Sequence, residues 1–256
     1  VIPFWAALCS GADGIRPLTR VDTEGLAYRQ GGEIPAAPES LAVPDAFDRT
    51  GCAGRWMAAA AREAVADRGA GTEAFPALSR VGVVLTTNFG NAQAFEALAE
   101  RMHDAGGPVG EGLADYSFLS VADLLAAWSG FCGPRAVLSL SCASGAAALG
   151  TAADLIRFGR ADAVLVGGFD ALSRFAWSGL SALRTMTRDA VRPFDKNRSG
   201  TLFGEGAGAM MLERMDGARR RGARIYAELA GHACNNNAFH LTSPAREGAG
   251  SAAVMR

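Results

Sequence analysis

A layered α/β fold is what this sequence of 256 residues predicts, and three observations carry the prediction. Short apolar runs alternate with longer stretches of helical composition, the pattern of a sheet covered by helices. The earlier runs lack clean polar alternation, as strands covered on both faces do. The 32 glycines and many alanines allow helices to approach a sheet, or one another, closely.

Taken in order, GRWMAAAAREAVADRG at 54–69 reads as a helix, RVGVVLTT at 80–87 as a buried strand and NAQAFEALAERMHDAGG at 91–107 as a second helix. PRAVLSLS at 134–141 and ADAVLVGG at 161–168 read as buried strands on either side of a helix, SGAAALGTAADLIRFG at 144–159. GAGAMMLE at 206–213 and RIYAELAGHA at 224–233 read as further strands. The segment at 31–51 has three prolines and no helical period, so it is expected to be an irregular surface connection. The segment at 187–208 packs charges, Pro193 and several glycines into a loop that ends on an apolar strand. Ordering such a loop is costly unless it is held in a defined shape.

Composition narrows the functional classes. Twenty-five Lys plus Arg against 26 Asp plus Glu leave a net charge of -1, which gives no general attraction to nucleic acid or to an acidic membrane surface. Five cysteines without CxxC pairs suit a reducing, cytoplasmic compartment better than a disulfide framework or a metal site. No apolar run approaches the roughly 18 residues of a membrane span, and no signal-peptide layout opens the chain. The start VIPFWAALCSG has no Met, which reads as a sequence beginning inside a longer protein.

Chemistry concentrates in LSLSCASGAAALG at 138–150. Cys142 follows a predicted strand and opens a predicted helix whose first turns carry only small side chains. A cysteine is most simply a small buried hydrophobe, the reading given to Cys9, Cys52, Cys132 and Cys234. In a strand-turn-helix elbow, however, the unpaired N–H groups of the helix favour negative charge on the sulfur and can hold an oxyanion, and small neighbours admit a carbonyl. On the residues alone both readings of Cys142 stay open.

Three strings in one order resolve more. SLSCASGAAALGTAADLIRFGRADAVLVGGFD, RPFDKNRSGTLFGEGAG and NNNAFHLTSPAREGAG resemble the nucleophile segment, the R-P-F-D-x-x-R-x-G loop and the D-A-x-H-x-T-x-P segment of the β-ketoacyl-acyl-carrier-protein synthases of the thiolase superfamily. The resemblance implies a thiolase-like layered αβαβα fold of which residues 1–256 form roughly the first half, with a first strand before Val1 and the second half after Arg256. It implies an acyltransferase in which Cys142 takes an acyl group from a carrier-protein phosphopantetheine and condenses it with decarboxylated malonyl-acyl-carrier protein, in fatty-acid or polyketide synthesis. It further implies a homodimer, acyl carrier protein as partner, and no cofactor or metal of the protein's own. The family's two decarboxylating histidines belong to A-H-G-T-x-T-P and G-H strings that do not occur here, so the sequence as it stands is expected to accept an acyl group but not to elongate it. The alternatives are a non-elongating partner of chain-length-factor type, which usually lacks the cysteine, and a coenzyme A thiolase, which the R-P-F-D loop disfavours.

The resemblance also implies secondary sites. Thr242 and Ser243 would meet the phosphopantetheine arm, or are simply turn residues before Pro244. Arg184 would contact the carrier protein at the tunnel mouth, or is a solvated arginine; Leu180 would gate the acyl pocket, or is a core leucine. Phe89 stands in TTNFGN where relatives commonly read G-x-G-I-G-G, and its bulk would shorten the acyl tunnel. His103 and His232 read as an exposed helix residue and a strand residue, and His240 as part of the pantetheine segment. Asp195, Arg198 and Glu205 are expected to brace the R-P-F-D loop as a buried polar group. ARRRGAR at 218–224 is expected to be solvated charge.

Overall fold

The run Val81–Thr86 is buried at every residue and lies between two parallel neighbours in its sheet, as its apolar sequence predicts. The computed structural model describes residues 2–35, 41–69, 75–105, 116–240 and 243–256. In chain order these form α1 (Ile2–Cys9), β1 (Arg16–Pro17), β2 (Gln30–Gly31), α2 (Gly51–Asp67), β3 (Val81–Thr86), α3 (Ala92–Ala105), α4 (Ser120–Ser129), β4 (Arg135–Leu138), α5 (Ser144–Arg157), β5 (Ala163–Asp170), α6 (Arg174–Ala182), β6 (Gly206–Glu213), α7 (Met215–Arg220) and α8 (Ala249–Met255). Two units emerge, Val1–Ala59 with Phe89–Ser120 and Phe169–Ala207, and Ala60–Asn88 with Val121–Gly168 and Gly208–Arg256.

The second unit is built on a sheet of order β4-β3-β5-β6. β3 runs parallel to β4, with Thr86 opposite Leu138, and parallel to β5, with Thr86 opposite Gly168. Strand β5 approaches so closely that a Cβ on Gly168 would lie 2.7 Å from Thr86 Oγ1. The helix α5 lies on this sheet because the face it turns inward is made of small residues. Ala148 and Ala152 pack with Val84, Ala161, Val164 and Val166, while Leu138, Leu149, Leu155, Ile156 and Leu212 close the cluster. Burial of these aliphatic side chains, at about 25 cal/mol per Å² of apolar surface, is what holds the helix down. Strand β4 departs from expectation: it is the sheet edge, Arg135 is exposed and the rest half-buried, so it is not covered on both faces.

In the first unit Trp177 of α6 is fully buried among Val21, Leu172 and Met186. Its indole N–H donates to the Tyr28 carbonyl at 2.8 Å, which satisfies the one polar atom that burial would otherwise strand. Ser173 caps α6, its hydroxyl accepting from the Ala176 N–H at 3.1 Å. Helix α1 carries Ile2, Phe4, Trp5 and Leu8, and none of its residues is buried. Among the described residues no helix is long and apolar enough to cross a membrane.

Two further expectations are corrected. Residues 224–233 form no strand. Their apolar composition suits a strand, but among the described residues no ladder pairs with them, and a strand exists only by its neighbour. Side chains attach the segment to helices instead: Tyr226 Oη donates to Asp67 at 2.7 Å, Arg157 donates to the Ala230 carbonyl at 3.2 Å, and His232 meets Asp154 at 3.0 Å. His232 is therefore not a strand residue, whereas His103 is the exposed helix residue expected. The basic run at 218–224 is only partly solvated. Arg219 and Arg220 are exposed, but the Arg221 side chain is 4% exposed, pairs with Glu213 at 2.7 Å and donates to the Arg68 carbonyl at 2.6 Å.

Candidate functional site

Cys142 is exposed and sits where β4 gives way to α5, in a short 3-10 turn Ser141–Ala143. The carboxyl ends of parallel strands are where open α/β sheets leave room for ligands. Here the Thr87 N–H donates to the Leu138 carbonyl at 3.2 Å, so the β3–β4 pairing persists to the edge of the turn. Just beyond it Ser139 Oγ lies 3.5 Å from Asn88 Oδ1. Ser141 takes a left-handed backbone with φ 52°, a conformation unfavourable for a side chain bearing Cβ. The turn is closed by Ser144, which is 4% exposed: its hydroxyl accepts from the Leu140 N–H at 2.7 Å and donates to the Ser141 carbonyl at 2.7 Å. The Ala143 N–H donates to the Leu140 carbonyl at 3.2 Å. The sulfur is thus offered to solvent on a sharply turned backbone at the start of a helix, an arrangement able to attack a thioester carbonyl.

The same helix is engaged further along. A Cβ on Gly150 would lie 2.6 Å from His232 Nδ1, so this glycine is what lets the imidazole lie against α5. Opposite Nδ1, Nε2 faces Asp154 at 3.0 Å. Ser243 is exposed and its backbone N–H donates to His240 Nδ1 at 3.1 Å, while Thr242 lies outside the described residues. Among the described residues no group of three His, Cys, Asp or Glu is placed to hold a metal ion.

Phe89, Leu180 and Arg184 belong to the first unit, whereas Cys142 and Ser243 belong to the second. Phe89 is half-buried and its N–H donates to Asp170 Oδ1 at 3.0 Å, which fixes the turn after β3. Leu180 is half-buried against the Trp177 cluster, the packing a core leucine would have. Arg184 is exposed just past the end of α6, with φ 55° and its N–H donating to the Ser181 carbonyl at 3.2 Å.

The expected brace of the R-P-F-D loop is only one-third as drawn. Asp195 and Arg198 are exposed, and Arg198 donates to the Asp195 backbone carbonyl at 3.0 Å, with no carboxylate among the described residues pairing to that guanidinium. Charges at a loop tip keep their water, so nothing drives them together. Glu205 does brace, with a side chain of 0% exposure. It receives the N–H of Ile34 at 2.7 Å and of Leu172 at 3.1 Å and pairs with Arg20. Beside it Glu33 receives the Thr19 N–H at 3.0 Å, the Thr19 hydroxyl at 2.6 Å and the Arg20 N–H at 2.8 Å. Burial raises the Glu33 pKa, but the Thr19 hydroxyl, the two N–H donors and Arg20 outweigh it and hold the carboxyl below its ordinary value. At the loop's start the Ala190 N–H and then Arg192 hold Asp189 low as well.

Sequence reasoning missed Ser144, Ser141 and Asn88. The only signal was the serine two places after the cysteine, which reads equally well as one more small residue of the elbow.

An exposed cysteine at the elbow between a parallel strand and a helix is an arrangement that can carry an acyl thioester. Residues 2–218 match the family model of the β-ketoacyl synthase N-terminal domain. The chain belongs to the β-ketoacyl synthase family, and its fold is the thiolase-like fold predicted from the sequence. It is 31% identical to the 3-oxoacyl-[acyl-carrier-protein] synthase 2 of Staphylococcus aureus over 98% of this chain and 64% of that one. It is 34% identical to the tetracenomycin polyketide synthase ketoacyl synthase alpha subunit of Streptomyces glaucescens, over 93% of this chain and 60% of that one. Among solved structures, the ishigamide ketosynthase/chain length factor matches with a TM-score of 0.87 at 33% identity, covering 100% of this chain and 65% of that chain. A type II polyketide synthase ketosynthase, AntDE, in complex with its acyl carrier protein, matches at 0.82 and 27% identity, covering 98% and 63%. The chain therefore spans just under two thirds of the length of these relatives.

Proposed function

We propose that residues 1–256 are the N-terminal part of a β-ketoacyl-acyl-carrier-protein synthase and that Cys142 is its acyl acceptor. One observation carries the reading: a cysteine of this family's chain stands exposed on the elbow between a parallel strand and a helix. In the first step the Cys142 sulfur attacks the carbonyl of a carrier-bound thioester. The carbon–sulfur bond to the pantetheine breaks, and the departing thiolate takes up the proton that Cys142 gave up. Backbone N–H groups at the turn are suited to the oxyanion of the tetrahedral intermediate. In the second step malonyl-acyl-carrier protein loses carbon dioxide, and the resulting carbanion attacks the acyl-enzyme carbonyl, releasing Cys142 and forming a β-keto product. The histidines the family uses for decarboxylation match no string in this sequence.

Acyl carrier protein is the proposed partner, supported by the AntDE ketosynthase solved with its own carrier protein, and Arg184 is the proposed contact because it is an exposed cation beyond α6. A cytoplasmic homodimer that uses no cofactor or metal of its own completes the proposal. Ser243, Thr242 and Leu180 keep their proposed substrate roles, and Phe89 is proposed to shorten the acyl pocket. The alternatives, a chain-length-factor partner and a coenzyme A thiolase, fit less well: Cys142 argues against the first and the R-P-F-D loop against the second.

The test is acyl transfer to the full-length protein from carrier-protein and coenzyme A donors, read as a mass increment on the peptide holding Cys142. Labelling from the carrier-protein donor, abolished by Cys142→Ala, is expected. Labelling on another residue, or from coenzyme A alone, rejects the reading. Equal rates with acetyl and myristoyl donors would reject the role given to Phe89.

A further inference from the structure

We infer that Ser144 is a positioning residue for Cys142, the group that holds the nucleophile's backbone in its outward-facing turn. The inference rests on the reading of Cys142 as acyl acceptor and adds the part of the chain that makes it so.

A single buried hydroxyl occupies both of its hydrogen-bonding functions on the backbone immediately before Cys142. It accepts from the Leu140 N–H at 2.7 Å and donates to the Ser141 carbonyl at 2.7 Å. The peptide groups on both sides of the elbow's tightest point are therefore tied to one atom of the first helical residue. That tie is needed because the turn is not at rest by itself. Ser141 sits at φ 52°, where an L side chain is disfavoured and where asparagine, aspartate or glycine would be the usual choice. No side chain caps α5 at Ala143, so the hydroxyl that sets the strand-to-helix geometry comes from within the helix and reaches back. Small neighbours contribute no steric lock of their own, since Ala143 and Gly145 flank Ser144 and a Cβ on Gly145 would meet nothing within 4 Å. Remove the hydroxyl and the Leu140 N–H loses its acceptor, while the Ser141 carbonyl keeps only the Ser144 backbone N–H that also donates to it. Ser141 is then free to relax toward negative φ, and the backbone of Cys142 shifts out of the turn that presents it at the start of α5.

Reactivity, and not only stability, must then depend on this hydroxyl. The experiment uses the full-length protein and limiting iodoacetamide, with alkylation read peptide by peptide by mass spectrometry. Cys132 and Cys234, both exposed, serve as internal standards in the same molecules. Ser144→Ala is expected to lower the alkylation of Cys142 relative to Cys132 by about tenfold or more, the scale on which small misplacements of reacting groups act. Ser141→Gly relieves the strain that the hydroxyl opposes, so in the double variant S141G/S144A the ratio should return to within about threefold of S141G alone. An unchanged ratio in Ser144→Ala overturns the inference, and so does a loss that Ser141→Gly fails to rescue. Should Ser144→Ala not fold, the comparison of S141G with S141G/S144A decides alone, and a tenfold difference between them overturns it. Failure of the acyl-acceptor reading itself would appear elsewhere, as a wild-type Cys142 that alkylates normally but takes no acyl group from a carrier donor.

Discussion

The elbow at 139–144 and the loop that ends at Glu205 are both irregular, and they are held in opposite ways. Around Cys142 the ties run between residues three or four positions apart, from Ser144 to Ser141 and Leu140. At Glu205 they run to Leu172, Ile34 and Arg20, up to 185 positions away. A local tie forms as soon as its turn forms and costs little loop-closure entropy, whereas the distant ones form only when the first unit is assembled. The elbow should therefore be robust to disturbance elsewhere, and the R-P-F-D loop should report on the integrity of its whole unit.

Four changes test that contrast, from the largest effect to the smallest. Glu205→Ala leaves the Ile34 and Leu172 N–H groups without their acceptor and takes one partner from Arg20, which keeps Glu33 and the Ile34 carbonyl, and should cost about 3 kcal/mol. Urea unfolding measures it, and a cost below about 1 kcal/mol would erase the distinction. Ser144→Ala removes two short hydrogen bonds at one site and should cost only about 1–2 kcal/mol in the same assay. Acid provides the third. Because Glu33 is held below its ordinary pKa in the fold, it stabilises the first unit fully above the unfolded carboxylate value of about 4.3, and the contribution disappears as pH falls through the lower folded value. Glu33→Gln should lower stability at neutral pH and flatten the acid loss between about pH 5 and about pH 2; a variant with the wild-type acid slope would contradict the assignment. Last, Phe194→Ala at the loop tip, where the residue is 101% exposed, should move stability by less than about 0.5 kcal/mol.

The sequence made the inner architecture legible because its signals there are redundant. Strand β3 is apolar up to Thr86 at its end, and α5 has both helical composition and a small-residue face, so local preference and tertiary packing agree. Position along the chain also sufficed for Cys142, since an elbow is a local feature. What escaped were features set by distant partners. RIYAELAGHA has the composition of a strand but is fastened by Tyr226, by His232 and by the Ala230 carbonyl to helices instead. The brace at Glu205 was drawn with its neighbours Asp195 and Arg198, because nothing in the sequence singles out Arg20 as the guanidinium that reaches it. Helix α6 escaped for a different reason. RFAWSGLSA is short and without a clear period, and the burial of Trp177 that stabilises it is known only once Tyr28 and Met186 are in place. Ser144 was visible but silent: a serine bonded to backbone leaves no mark on composition or period.

Each of the two units is assembled from separated lengths of chain, with Phe89–Ser120 and Phe169–Ala207 returning to join Val1–Ala59, and the other unit interleaved between them. No contiguous gene segment encodes either one. A truncation or domain-swap boundary anywhere between Ala60 and Ala207 would therefore sever both at once.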